Sequence, residues 1–145
     1  MTEVEFHTGV ADPVAFACHL LRKAARQGVR VQVTAPPAVL SQLDRSLWTL
    51  EAQGFVPHVR MPGAPAAVAG RTPIWLTAAV LQESAPRVLM NLGADRPAQT
   101  DTLDRVIEIV SGEDAAAASG RERWRAYKSL GLAPKHHADP GPPHG

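Results

Sequence analysis

Apolar positions along this chain switch repeatedly between an extended and a helical period. Val4 to His7 predicts a short first strand. Asp12-Pro13 then marks a helix start, with Asp as N-cap and Pro in the first helical position, where its missing N–H costs nothing. Val14, Cys18, Leu21 and Ala25 recur at helical spacing, and Gly28 is a suitable stop. Val29, Val31 and Val33 alternate with Arg30 and Gln32, which predicts a second strand. Pro36-Pro37 opens another helix, with Leu40, Leu43 and Leu47 on its buried side and Trp48 near its end. Phe55 to Arg60 predicts a third extended segment, and residues 62–71, rich in Pro, Ala and Gly, a loop.

Ile74 to Thr77 and Val88 to Leu92 are continuous apolar runs, the pattern of parallel strands covered on both faces. Val106 to Val110 predicts a last strand, and a helix follows from about Glu113 to Leu130, favoured by Ala115 to Ala118 and weakened by Gly120. Strands alternating with helices predict an α/β fold: a single three-layer α/β/α domain over residues 1–132, Rossmann-like, with a mainly parallel sheet. Residues 133–145 hold Pro134, Pro140, Pro142 and Pro143 and predict a disordered, Pro/His-rich tail.

Composition narrows the function classes. A chain of 145 residues is long enough to bury a real core. A formal net charge of +1 excludes a general polyanion binder, so any basic patch is local. One cysteine excludes an internal disulfide, and Cys18 belongs to an apolar helical stripe, where packing explains it. The N-terminus is acidic without an apolar run, and no stretch is long enough to span a bilayer. A cytoplasmic protein with no membrane partner is expected.

Arg121, Trp124, Arg125 and Lys128 fall at i, i+3, i+4 and i+7 of the last helix and share one face. Cations around one flat aromatic make a poor core face and a good receptor for an acidic ligand with an apolar anchor. A solvated helix end, its basic residues complementing the helix dipole, is the plainer alternative. Tyr127 and Leu130 lie on a different face and are expected to pack inward.

Catalytic motifs are missing. Thr8-Gly9-Val10-Ala11-Asp12 has one glycine where a dinucleotide fingerprint needs three, and no phosphate loop or nucleophile elbow occurs. Asp95 follows a strong strand, which a loop or helix cap explains better than catalysis. His7, His19 and His58 are scattered without metal-ligand spacing, and His136, His137 and His144 lie in the tail, so neither metal nor cofactor is expected. His58 is expected to be a satisfied, partly buried histidine, because no partner for a general base is evident.

Two segments together carry a specific resemblance. Leu43-Asp44-Arg45-Ser46-Leu47-Trp48-Thr49 continues to Phe55-Val56-Pro57-His58, and Arg121-Glu122-Arg123-Trp124-Arg125-Ala126-Tyr127 is followed by Gly131. In this order and at this separation they resemble the chi subunit of bacterial DNA polymerase III, from about Val4 to Leu132. The resemblance implies a non-catalytic accessory subunit of the clamp-loader assembly. It would bind the acidic C-terminal tail of single-stranded DNA-binding protein, which ends in a hydrophobic residue bearing the free carboxylate. By position, the tail site would comprise Val110, Arg121, Trp124, Arg125 and Lys128.

The residue types suit those roles. Arg121 would fork onto the terminal carboxylate, Trp124 and Val110 would wall the apolar pocket, and Arg125 and Lys128 would attract the acidic residues. Trp124 stands where the best-known members have Tyr, and Ala117 where some carry a basic residue. A second surface, at Phe55 with Trp48 as a neighbour, would take the psi subunit or a helicase-like partner. Contact with nucleic acid would be mainly indirect. Two alternatives stay open at this level: a direct single-stranded nucleic-acid-binding module that stacks bases on Trp124, and a nucleotide-binding α/β enzyme. Removal of residues 134–145 is expected to leave tail binding unchanged.

Overall fold

The computed structural model describes residues 2–48, 56–81 and 84–138. The elements run β1 (Glu3–Val10), α1 (Pro13–Arg26), β2 (Val31–Thr34), α2 (Pro37–Trp48), β3 (His58–Met61), α3 (Ala66–Arg71), β4 (Ile74–Thr77), β5 (Val88–Asn91), β6 (Arg105–Ser111), α4 (Asp114–Ser129) and β7 (Lys135–Ala138). The strands form one sheet in the order β3-β4-β2-β5-β6-β1-β7, and every neighbouring pair is parallel. The predicted α/β class therefore holds.

Asp12 caps α1 as its sequence suggests, accepting a hydrogen bond from the Ala15 N–H at 3.1 Å, with Pro13 at the first helical position. On one face of the sheet, α1 and α2 bury Leu21, Leu40, Leu43 and Leu47 against Val33, Leu76 and Met90. On the other face, Tyr127 of α4 packs with Phe6, Leu89, Val106 and Val110. Two irregular connections complete this second layer, contributing Val80 and Leu103.

Gln32 holds the described residues between β4 and β5 against the sheet. Alternation along β2 placed it outward, yet it is wholly buried. Its amide nitrogen donates to the Leu81 and Pro86 carbonyls at 3.0 Å each, and its oxygen accepts from the Leu81 N–H at 2.9 Å. The side chain supplies partners that the irregular backbone cannot give itself.

Residues 62–71 are not all loop. Ala66–Arg71 forms α3, favoured by Ala66, Ala67 and Ala69, and the Trp75 indole N–H donates to the Ala69 carbonyl at 2.9 Å near its end. β6 is not the last strand, because Lys135–Ala138 pairs with Glu5–Thr8 of β1. The cause lies at the end of α4. Gly131, at φ +86°, donates to the Lys128 carbonyl at 3.0 Å, and the Leu132 N–H donates to the Tyr127 carbonyl at 3.2 Å. This pair of bonds reverses the chain, and Leu132 tucks against the Tyr127 cluster. The following residues are thereby delivered to the free edge of β1.

Candidate functional site

Helix α4 lies unusually close to β6, and one residue permits it. A Cβ placed on Gly120 would stand 2.9 Å from Cγ1 of Val110 and 3.1 Å from Cγ2. With only hydrogen there, α4 settles onto the strand and a groove of about 570 Å³ opens beside it. Val110, Phe6 and the half-buried Trp124 give the groove an apolar lining. The Phe6 and Trp124 rings meet edge to face, 5.1 Å between centroids at 68°, so Trp124 is held from below. The exposed Arg121 and Arg125 line the helix side. Thr8, Gly9 and His136 line the strand side. No carboxylate lines the groove among the described residues. An apolar cleft with two guanidiniums at its rim favours an anionic ligand that carries a hydrophobic group.

The groove's place follows from the topology. From β1, α1 carries the chain towards β2, while from the neighbouring β6, α4 carries it the other way, towards β7. Connections diverging from adjacent strands leave a crevice at their carboxyl ends, the usual ligand position in open parallel sheets. Gly9 at the end of β1 and Ser111-Gly112 at the end of β6 line the groove at that point. A second hollow of about 490 Å³ lies across the same crevice. Its two charged residues, Asp12 and Arg123, are already bonded to the Ala15 N–H and to Glu108.

Arg123 shows how α4 is anchored under the groove. Two positions from Arg121 it points to the opposite side of the helix and is buried. Its Nε donates to Oε1 of Glu108 at 2.9 Å, and its Nη1 to the Ser119 hydroxyl at 2.7 Å. The Tyr127 hydroxyl donates to Oε2 of Glu108 at 2.8 Å, and the Asn91 amide reaches both carboxylate oxygens. Burial pushes the Glu108 carboxyl above its ordinary value, with Arg123, Asn91 and Tyr127 pulling against it. Burial and the Glu108 charge likewise push the Tyr127 phenol far up. Among the described residues no buried side-chain polar atom lacks a partner, and the bonds of this cluster run among its own members, so it is a structural anchor.

Of the five residues predicted for one site, the structure brings Val110, Arg121, Trp124 and Arg125 into the groove. Lys128 is exposed but does not line it. Ala117 does line it, without a charge to offer. Tyr127 packs inward as expected, whereas Leu130 is 48% exposed, because α4 has ended and Leu132 takes the inward place. Sequence reasoning missed Phe6, Thr8 and His136. The spacing of Phe6 and Thr8, two apart on β1 and therefore on one face, was the available signal for two of them; His136 depends on a strand pairing that no local pattern announces.

At the far edge of the sheet, Trp48 is 61% exposed at the end of α2, its ring 5.5 Å from that of His58 and edge-on. His58 is buried between two oxygen atoms: Nδ1 lies 2.7 Å from the Val56 carbonyl and Nε2 2.6 Å from Oδ1 of Asp44. It is a satisfied histidine, and the partner that spacing did not reveal sits 14 residues upstream on α2. This bond ties together the two halves of the segment 43–58. Phe55 lies outside the described residues. Asp95 is exposed in a loop, and Cys18 is buried, its thiol pushed up to about 11 by burial. Among the described residues, no group of three metal-ligating side chains gathers, and no helix is long and apolar enough to cross a membrane.

Residues 1–135 match the family described as DNA polymerase III chi subunit, HolC. The chain is 32% identical to a DNA polymerase III subunit chi of Pseudomonas aeruginosa, over 97% of this chain and 99% of the relative. It is 26% identical to a DNA polymerase III subunit chi of Escherichia coli (strain K12), over 86% of this chain and 84% of the relative.

Proposed function

The chain belongs to the DNA polymerase III chi subunit family, accessory subunits of DNA replication, and on that premise we propose that it binds the acidic C-terminal tail of single-stranded DNA-binding protein and links it to the clamp loader. The observation that carries the proposal is the groove itself, where Val110, Trp124, Arg121 and Arg125 share one cleft that, among the described residues, no carboxylate lines. Arg121 forks onto the terminal carboxylate with two parallel hydrogen bonds. Trp124 and Val110 receive the terminal aromatic side chain. Arg125, with Lys128 at the helix end, attracts the acidic residues that precede it and makes binding salt-sensitive. The role is that of a non-catalytic adaptor. A second surface around Trp48 and Phe55 takes the psi subunit or a helicase-like partner; the exposure of the Trp48 ring supports it.

Calorimetric titration with an acidic peptide ending in Phe is the test. Wild-type protein is expected to bind with a Kd on the order of micromolar, because a disordered tail must be ordered on a small contact. Arg121→Ala should abolish binding while its circular dichroism stays native, since Arg121 is exposed. Wild-type affinity in that variant would remove the carboxylate fork. Equal binding of a peptide lacking the terminal Phe would remove the aromatic pocket.

A further inference from the structure

We propose that β7 is the strand-side wall of this groove and that His136 is a further binding residue for the same peptide, its ring packing against the terminal aromatic side chain. The inference rests on the tail-binding reading above and adds to it a segment whose composition alone suggests dispensability.

The register decides which way β7 faces. His136 pairs with Phe6 and His137 with His7. Side chains alternate across a strand, so the two histidines go to opposite faces. His137 stacks on His7, 5.0 Å between centroids, and its Nε2 lies 3.4 Å from Oε2 of Glu5, which Arg105 of β6 also engages. His136 turns to the groove. Its Nε2 lies 2.6 Å from the Thr8 hydroxyl, and its ring stands edge-on to Trp124, 6.1 Å between centroids at 80°. Trp124 therefore has an aromatic ring beneath it, Phe6, and another across from it, His136.

What the strand bank would be without β7 gives the argument its force. Apart from His136, the bank formed by β1 offers only the small Thr8 and Gly9 beside Phe6, which lies beneath Trp124, with Ser111 and Gly112 at the end of β6 adding little bulk. Arg121 and Arg125 stand on the opposite, helix bank. Without β7 the cleft would be a one-sided ledge, and a ligand ring on Trp124 would stay wet on its outer side. With β7 in place the imidazole, its orientation set by Thr8, closes that side while remaining accessible, since β7 is exposed along its length. A rigid aromatic wall adds specificity at little cost in ordering, because its position exists before the ligand arrives.

Calorimetry with the same Phe-ended acidic peptide tests the inference. His136→Ala removes an exposed side chain and should melt like wild type, yet bind the peptide about three- to tenfold more weakly, the usual worth of an aromatic contact. His136→Phe keeps the wall and should bind within about twofold of wild type. Deletion of residues 134–145 should weaken binding at least as much as His136→Ala. In NMR titration the ring signals of His136 should shift on peptide addition, while those of His137, on the other face, hold still. Wild-type affinity in His136→Ala, tighter binding after deletion, or an unmoved His136 ring would overturn the proposal. If wild type binds, Arg121→Ala does not, and His136→Ala binds normally, only the β7 wall falls. If wild type does not bind at all, the tail-binding reading falls and the wall with it.

Discussion

Glu108 lies wholly within the protein and faces three donors, of which only Arg123 carries charge. Removing one partner of a buried ion pair costs far more than the pair contributes, because the remaining charge is stranded away from water. Arg123→Ala should therefore destabilise the fold by about 3–5 kcal/mol, read by urea denaturation. The pH dependence has a definite sign. A carboxyl whose folded value is raised holds its proton more firmly folded than unfolded. Its contribution is complete below the ordinary carboxylate range and is lost as pH rises through the raised value. Without Arg123 the carboxyl rises further, so the deficit should narrow as pH falls from neutral into the acid range. A deficit that widened in acid would contradict this account. The sequence separates Arg123 from Arg121 only through helical phase, and phase alone assigned Arg121 and Arg125 to the exposed face. It could not name Glu108 as partner, because that contact depends on how α4 is set along β6.

At the scale of elements, the seat of α4 on β6 sets the groove, and Gly120 sets the seat. Read locally, Gly120 only weakens a helix; read against β6, it is the contact point. Gly120→Ala would regain about 1 kcal/mol of helix propensity and meet Val110 at a distance that overpacked cores resist at a cost of about 1–3 kcal/mol. The expected outcome is a lower melting temperature together with weaker peptide binding, because Trp124 and Val110 are prised apart. Adding Val110→Ala should recover much of the lost stability without restoring binding, since Val110 is itself a pocket wall. An unchanged melting temperature in Gly120→Ala would mean that Val110 turns aside freely. β7 and the buried Gln32, which sequence reasoning misjudged, take their conformation from neighbours remote in sequence, whereas α1, α2, β4 and β5 carry strong local signals of their own.

Over the whole molecule, charge is nearly balanced, and at the groove it is local. A net charge of +1 and two guanidiniums at one cleft favour a compact acidic ligand over a long single strand, which needs a continuous basic track. Fluorescence titration with oligo-dT at low salt should show weak binding that does not grow with oligonucleotide length. Tight, length-dependent binding would instead favour direct nucleic-acid recognition, with Trp124 as the stacking platform. The α/β class was legible because alternating strands and helices leave few architectures open. The order of strands was not. It depends on which way each crossover turns, and the divergence at β1 and β6 that makes the crevice is a property of the assembled sheet.

That sheet has β1, the earliest of its strands, lying between β6 and β7, the two latest. Thr8 and His136, which touch, are separated by 128 positions. Pairings so distant in sequence must await most of the chain and form slowly, since loop closure precedes any reward. During synthesis, β1 would leave the ribosome long before either of its neighbours exists. The groove would then be among the later features to take shape, closing only after α4 and β7 have emerged to flank a strand made long before them.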